Sequence, residues 1–339
     1  MELFKEWLQK IKIGEDVIFT ITYLTGKRAG IAGIIVILFL CLQIIGCHRP
    51  AERKIRPDVP RREPTISLYV KESGEKKKLK MEEYITGVVA AEMDPAWPVN
   101  ALAAQAILAR TFTLENIKAG RVQQLHGTDA STSTEEFQAY NAARINENVR
   151  EAVKRTRGEV VTYQGDCIKA WFCACNGGVT ASAAEGLSYT KTSTPYAKAG
   201  IKDDCLKIVP PDYRAWEAKI PLTRVQVAVA KITGKAPGEI TSAQIIECGP
   251  SGRATKIKLG GTVVGAPALR LNLGSEWVRS TFFTAVAIQD GSLILKGKGF
   301  GHGVGMCQWG ARQLAQEGKS PEEIIRFYFK GVKIKNYWP

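Results

Sequence analysis

The sequence predicts an α+β protein: a single N-terminal transmembrane helix, then an extracytoplasmic domain of mixed helix and antiparallel sheet. Three observations carry this. An uncharged apolar run occupies positions 29–47, helical periodicity dominates 82–119, and strand-like runs alternate with Gly-rich turns as far as Lys296. With 339 residues, 45% hydrophobic and 24% charged, the chain can bury at least one large core, which excludes general disorder. No repeat period marks a solenoid or propeller.

The run AGIAGIIVILFLCLQIIGC, Ala29 to Cys47, has Gln43 as its only strongly polar side chain. A spanning helix needs roughly 20 apolar residues, and a buried core helix would usually show a polar face, which this run lacks. Residues 1–28 then read as a cytoplasmic segment and 29–47 as the span. Lys10, Lys12, Lys27 and Arg28 precede the span while Arg49, Arg53, Lys54, Arg56, Arg61 and Arg62 follow it, so local charge does not set the N-terminus inside. Long domains cross largely regardless of charge, and the expected orientation is N-terminus in and bulk out. IIGC, ending at Cys47, also resembles a lipoprotein cleavage box, but 28 preceding residues are long for a signal peptide. Residues 48–64 are charged and hold four prolines, a stiff solvated stalk, which leaves 65–339 as the folded domain. A formal charge of +14 suits cell wall or lipid headgroups. Nucleic acid, the usual rival for a basic chain, is disfavoured by the anchor and by the lack of any nucleic-acid motif.

In the folded part, TISLYV (65–70) and KKKLKM (76–81) read as paired strands. EEYITGVVAAEM follows as a helix, apolar on two sides and so buried. Pro95 and Pro98 break the chain around Trp97, and a second helix is expected from about Val99 to Ala119. A third runs from Asn146 as N-cap to Arg157, closed by Gly158. EVVTY and CIKAWFC around Gln-Gly-Asp read as a hairpin, and TKIKLGGTVVG and FFTAVAIQDGSLILKG as further strand pairs. A helix starts near Met306. Ser320, Pro321 and Glu323 form a capping box with proline at the first helical position, which sets a helix from Pro321 to about Phe329. The chain is expected to end on helices.

Glu92 is the only charge in the apolar stretch GVVAAEM. An unpaired carboxylate there loses solvation, which raises its pKa and suits it to general acid work; a partly exposed residue at a helix end fits the spacing equally well. Glycosidases usually use two carboxylates, and Asp94, two residues on, does not share a helix face with Glu92. A single carboxylate suffices when the sugar's own 6-hydroxyl attacks the anomeric carbon.

EYITGVVAAEMDPAWPVNALAAQAILARTF, FCACNGGVTASAAEG, SGRA at 251–254 and GFGHGVGMCQWGARQLAQEG at 299–318 together resemble the stage II sporulation protein D family, over most of the chain from Thr65. The resemblance implies a lytic transglycosylase acting in engulfment, in the space between mother-cell and forespore membranes. It would cut peptidoglycan glycan strands between N-acetylmuramic acid and N-acetylglucosamine, leaving a 1,6-anhydro end. It also implies two partners: a sporulation amidase, stage II sporulation protein P, which strips stem peptides first, and a membrane scaffold. The family's catalytic glutamate falls on Glu92. Its AQA-x-x-ART helix places Gln105 and Arg110 toward sugar hydroxyls or toward Glu92, with a solvated helix face as the rival for both, more so for Arg110 than for Gln105. Its NGG-x-T turn falls on Asn176, Gly177, Gly178 and Thr180, where glycines let backbone approach a ligand and a plain turn is the rival. His302 and Gln308 are assigned to sugar binding, against a histidine that only satisfies its own loop, and Trp97, Trp171 and Trp309 to a glycan groove or to core.

Outside the membrane segment stand Cys167, Cys173, Cys175, Cys205, Cys248 and Cys307. Disulfides are the first reading. A thiolate site on Cys173 and Cys175 completed by Cys167 or Cys205, or free buried thiols, are the others. Some family members hold zinc through Cys and His just before the Gln-Ala-Tyr motif; here that stretch is STSTEEFQAY, so no metal and no cofactor is expected. A non-catalytic wall-binding protein or amidase enhancer is the rival from another class.

Overall fold

Acidic residues at the start of EEYITGVVAAE and prolines just past its end fix the first helix, since Glu82 and Glu83 complement the N-terminal dipole and proline stops continuation. In this computed structural model α1 spans Met81–Glu92, and Met93 turns extended. The structure describes residues 62–339 and, before them, an antiparallel pair Gln9–Lys12 with Ile18–Ile21. The expected transmembrane segment 29–47 and nearly all of the stalk lie outside the described residues. Among the described residues no helix is long and apolar enough to cross a membrane.

Strands β1 (Thr65–Tyr69) and β2 (Lys76–Lys80) pair antiparallel and lead into α1. The Ala-rich α2, Val99–Ala119, closes on Gly120 in the left-handed conformation that glycine adopts without cost. Its Ala101, Ala103, Ala104, Ala106 and Ala109 are all fully buried; small side chains let neighbours approach from every side, so packing rather than amphipathicity holds this helix. α3, Glu147–Arg155, is capped by Asn146, whose side chain accepts Val149 N–H at 3.0 Å, and packs on both α1 and α2.

The carboxylate of Glu82, on the first turn of α1, ties this core together. Arg110 of α2 donates twice to it, at 3.1 and 2.6 Å, while Gly158 N–H and Trp338 Nε1 donate to the same Oε1 at 3.0 and 2.8 Å. A further Arg110 N–H reaches the Glu159 carbonyl at 2.8 Å. Arg110 is wholly buried. The expectation that it faces sugar therefore fails: its donors are spent inside the core.

Two corrections concern strand partners. Across the Gln164-Gly165 turn β3, Glu159–Tyr163, pairs with no more than Asp166–Cys167. Trp171 N–H then bonds the Lys169 carbonyl, a tight bend that takes the chain off the sheet. The residues expected to continue the hairpin form instead β4, Phe172–Cys173, parallel to β5, Met306–Cys307. The helix expected near Met306 accordingly starts later, as α4, Gln308–Gln316. After α5, Pro321–Tyr328, with the expected capping box, the chain ends on a strand and not on a helix: β6, Lys333–Asn336, pairs antiparallel with β3 and seats Trp338 against Glu82.

Between β4 and β5 the chain builds a second hydrophobic cluster, centred on Ile220, Val225, Leu259, Leu269, Leu273, Leu293 and Leu295. It holds two three-stranded antiparallel sheets and the helices Leu222–Thr233 and Ala266–Leu273, which the strand-rich reading of this stretch overlooked. All six described cysteines are free, so the disulfide expectation is not met among them.

Removing one partner of a buried, hydrogen-bonded ion pair leaves an uncompensated charge. Arg110→Gln is expected to cost about 3–5 kcal/mol of unfolding free energy in urea titrations; an unchanged midpoint would show that Arg110 is not the brace described.

Candidate active site

Three helices meet at Glu92. It is the last residue of α1, half-buried, and its Oε1 accepts the Ala139 N–H at 2.8 Å. The side chain of Gln308, the first residue of α4, lies close enough to the same carboxyl to favour its charged form. Gln308 Nε2 also approaches Gln105 Oε1 of α2 at 3.5 Å, and the buried Gln105 Nε2 has no protein acceptor. An orphan buried donor is costly to leave unmade, and Gln105 carries one next to Gln308.

Burial is the largest influence on Glu92 and lifts its pKa to about 7, against the opposing hydrogen bonds from Ala139 and Gln308. The carboxyl can therefore hold a proton near neutral pH and release it. Asp94 does not act with it: its Oδ1 accepts Ala96 N–H at 2.9 Å and shapes the proline turn.

The segment Gln138-Ala139-Tyr140 presents the backbone donor. Gln138 Nε2 anchors it to Thr113 Oγ1 at 2.9 Å. Tyr140 stacks on Tyr84 with centroids 5.7 Å apart and lies where a side chain at Gly87 would sit, a Cβ there meeting its ring at 2.2 Å. The Tyr84 phenol is kept protonated by burial, reinforced by the charge of Glu92. Beyond Gln308, Trp309 meets Trp97 edge to face at 4.8 Å, and the Arg312 guanidinium lies over both rings, 4.8 and 5.2 Å from their centroids. Trp97 belongs to the buried core while Trp309 is partly exposed, so Trp309 and the guanidinium are the groups of this trio open to a sugar. Of the three tryptophans assigned to a groove, Trp171 packs instead on Tyr189 at 5.2 Å.

The other sequence candidates do other work. Asn176 donates to Asp203 Oδ2 at 2.8 Å and accepts Gly178 N–H at 2.9 Å, with Gly177 and Gly178 at positive φ. Thr180 Oγ1 donates to the Lys198 carbonyl at 2.8 Å and accepts Ile201 N–H at 3.0 Å. These atoms are satisfied within the protein and shape a turn. His302 Nδ1 accepts Val304 N–H at 3.0 Å, and its ring also bonds the Phe172 backbone; burial, then the charges of Arg270 and Arg253, push its pKa down to about 3. It is a neutral loop histidine, in the role that was its rival reading.

SGRA acquires a physical account. Ser251 donates to Glu185 through N–H and Oγ at 3.0 and 2.6 Å, and Arg253 reaches the Asn176 and Val179 carbonyls. It therefore docks the second cluster onto the Asn-Gly-Gly turn. Sequence reasoning missed Ala139 N–H, which has no side-chain signature. It also missed Arg312, whose spacing of three from Trp309 on a helix was available.

In the stretch before Gln-Ala-Tyr the polar groups pair with one another. His126 Nε2 pairs with Glu136 Oε2 at 2.9 Å and stacks on Tyr69 at 4.0 Å. Ser131 also bonds Glu136, and Phe137 packs against Phe112 at 5.4 Å. The possible donors hold one another.

A family model described as stage II sporulation protein matches residues 69–163, which contain α1, α2 and the Gln-Ala-Tyr segment. A second, described as a domain of unknown function, matches residues 209–305. An uncharacterised protein of Brachyspira hyodysenteriae is 35% identical over 260 residues, 76% of this chain and 67% of its own length. Stage II sporulation protein D of Bacillus amyloliquefaciens is 30% identical over 291 residues, 80% of this chain and 78% of its own. An amidase enhancer of Bacillus subtilis is 27% identical over 298 residues, 75% of this chain but 40% of its own length.

Because the folded pKa of Glu92 lies above the ordinary value of 4.5, the folded state binds the extra proton, and stability from this group is present below about pH 4.5 and lost as pH rises through about 7. Glu92→Gln is expected to raise the unfolding free energy at pH 8 by roughly 1–3 kcal/mol and to leave it unchanged near pH 4. Equal effects at both pH values would show that the carboxyl is not desolvated.

Proposed function

The chain belongs to the stage II sporulation protein D family, and we propose that it acts there as a peptidoglycan lytic transglycosylase with Glu92 as its acid and base. The observation that carries this reading is the half-buried Glu92 carboxyl with its pKa lifted to about 7, beside the unpaired amide donor of Gln105. In the proposed reaction the protonated Glu92 gives its proton to the glycosidic oxygen as the bond from N-acetylmuramic acid C1 breaks. The 6-hydroxyl of the same sugar closes on C1 and returns its proton to Glu92, so no water is consumed and the product carries a 1,6-anhydro ring. Gln308 and Gln105 orient carboxyl and sugar, and Trp309 and Arg312 line the approach.

The substrate in this proposal is glycan already stripped of stem peptides by a sporulation amidase, with the domain held outside the cytoplasmic membrane by the 29–47 segment. The specific sequence likeness to an amidase enhancer favours one other reading, in which the chain binds wall and stimulates an amidase without cutting.

Mass spectrometry of denuded glycan incubated with the protein separates the two: 1,6-anhydro ends support the transglycosylase, and no release, or reducing ends alone, refutes it. Glu92→Gln is expected to lower cleavage by about 10²–10⁴-fold, the usual contribution of general acid–base catalysis, with glycan binding retained. As the acid must be protonated, wild-type kcat/KM is expected to fall above about pH 7. Intact sacculi are expected to release product far more slowly than amidase-treated ones at equal glycan content; comparable rates would refute the ordered two-enzyme scheme.

A further inference from the structure

Cys175, Cys205 and Cys307 come from three distant parts of the chain, and their sulfurs lie within 4.8 Å of one another, all wholly buried. The Cys175 and Cys205 sulfurs are 3.4 Å apart. Three sulfurs at the usual zinc–thiolate length of about 2.3 Å from a common centre stand roughly 3.8–4.0 Å from one another, so small rotations about χ1 suffice to seat an ion among them.

Backbone donors face two of the three sulfurs. Gly177 N–H points at Cys175 Sγ at 3.4 Å, while Asn176 N–H and Gly310 N–H point at Cys307 Sγ at 3.4 and 3.3 Å. Backbone N–H groups aimed at sulfur stabilise thiolates as they do other anions, and the Gly310 donor belongs to the N-terminus of α4. Cys205 Sγ faces Asn176 Oδ1 at 3.2 Å, an oxygen able to supply a fourth ligand. A cavity of about 260 Å³ is lined by Asp203 and Gly310, whose backbone or side chain adjoins the cluster.

We propose that Cys175, Cys205 and Cys307 form a binding site for a soft, thiophilic metal ion, separate from Glu92. Zinc and copper(I) share the required affinity for thiolates. Binding displaces each thiol proton to solvent as its sulfur bonds the ion. The ion would join the Asn-Gly-Gly turn, the Asp203–Cys205 loop and the start of α4. Since Cys307 directly precedes Gln308, this fastens the end of the helix that meets Glu92. It differs from the thiolate set that strand alternation suggested: Cys173 is turned instead toward Gly301, where an added Cβ would meet its own Cβ at 2.7 Å.

The test is metal analysis of the full chain isolated under reducing conditions without chelator, then cobalt(II) titration of the stripped protein. One zinc or copper per chain and a near-ultraviolet cobalt–thiolate band support the site, and the metal found identifies the resident ion. Cys307→Ser is expected to weaken cobalt or zinc binding at least tenfold to a hundredfold, while Cys173→Ser leaves it unchanged, with circular dichroism confirming that both variants fold. Reduced thiols that give no cobalt band, or a Cys175–Cys205 disulfide in the metal-free isolated protein, would overturn the proposal. These readouts do not depend on glycan cleavage, so their failure is separable from that of the enzyme reading.

Discussion

The fold hangs on one buried carboxylate. Glu82 receives two bonds from Arg110 and one each from Gly158 and Trp338. One anion thus joins α1, α2, the turn before β3 and the C-terminal segment. Desolvating such a pair is repaid only when geometry is good and the remaining lone pairs are used, and here four donors use them. The consequence for function lies at the far end of the same helix. With α1 held at Glu82, its last residue, Glu92, has its position fixed relative to α2 and to the segment that supplies Ala139 N–H.

Glu82 and Glu92, near the two ends of α1, show opposite uses of burial. Glu82 is surrounded by four donated hydrogen bonds, two of them from an arginine. Glu92 has one backbone N–H and one amide, too little to replace water, and burial prevails. A carboxylate left under-solvated destabilises the fold at neutral pH, the usual trade between stability and activity at a reacting group. The cost is tolerable because Tyr84, Tyr140 and Gln138 build a rigid wall around it.

What could be read in the sequence follows from where the information lies. Helix ends were legible because caps are local: Asn146 and the Ser320-Pro321-Glu323 box each act within four residues. Glu92 stood out because a lone charge in an apolar helix is also a local signal. Arg110 was misjudged because a buried ion pair with a residue 28 positions away looks, from spacing, like a polar helix face. The EVVTY hairpin was over-extended because the partner of β4 is β5, which lies across the whole second cluster. The helix Leu222–Thr233 is rich in valine, isoleucine and threonine and so reads as strand, whereas Ala266–Leu273 has none of these and carries proline in its first turn and Gly274 at its end, a local signal that was missed.

The short segment Gly305–Trp309 shows why long-range placement matters here. Its backbone at Gly305 takes a positive φ and leaves no room for a side chain, since a Cβ would meet the Trp171 carbonyl at 2.1 Å; this close approach sets β5 parallel to β4. From that register Cys307 turns inward to the other two sulfurs, Gln308 reaches Glu92 and Gln105, and Trp309 reaches Trp97. Consecutive residues thus face a thiol cluster, an acid and an aromatic pair. They do so because the chain changes here from strand to helix, whose different periods send successive side chains in different directions. A displacement of β5 by one residue would exchange these roles and separate Gln308 from Glu92. The second cluster, which separates β4 from β5 in sequence, therefore contributes to the site without touching it: by docking through Ser251 and Arg253 onto Glu185 and the Asn-Gly-Gly turn, it returns the chain to β4 in the register that the site requires.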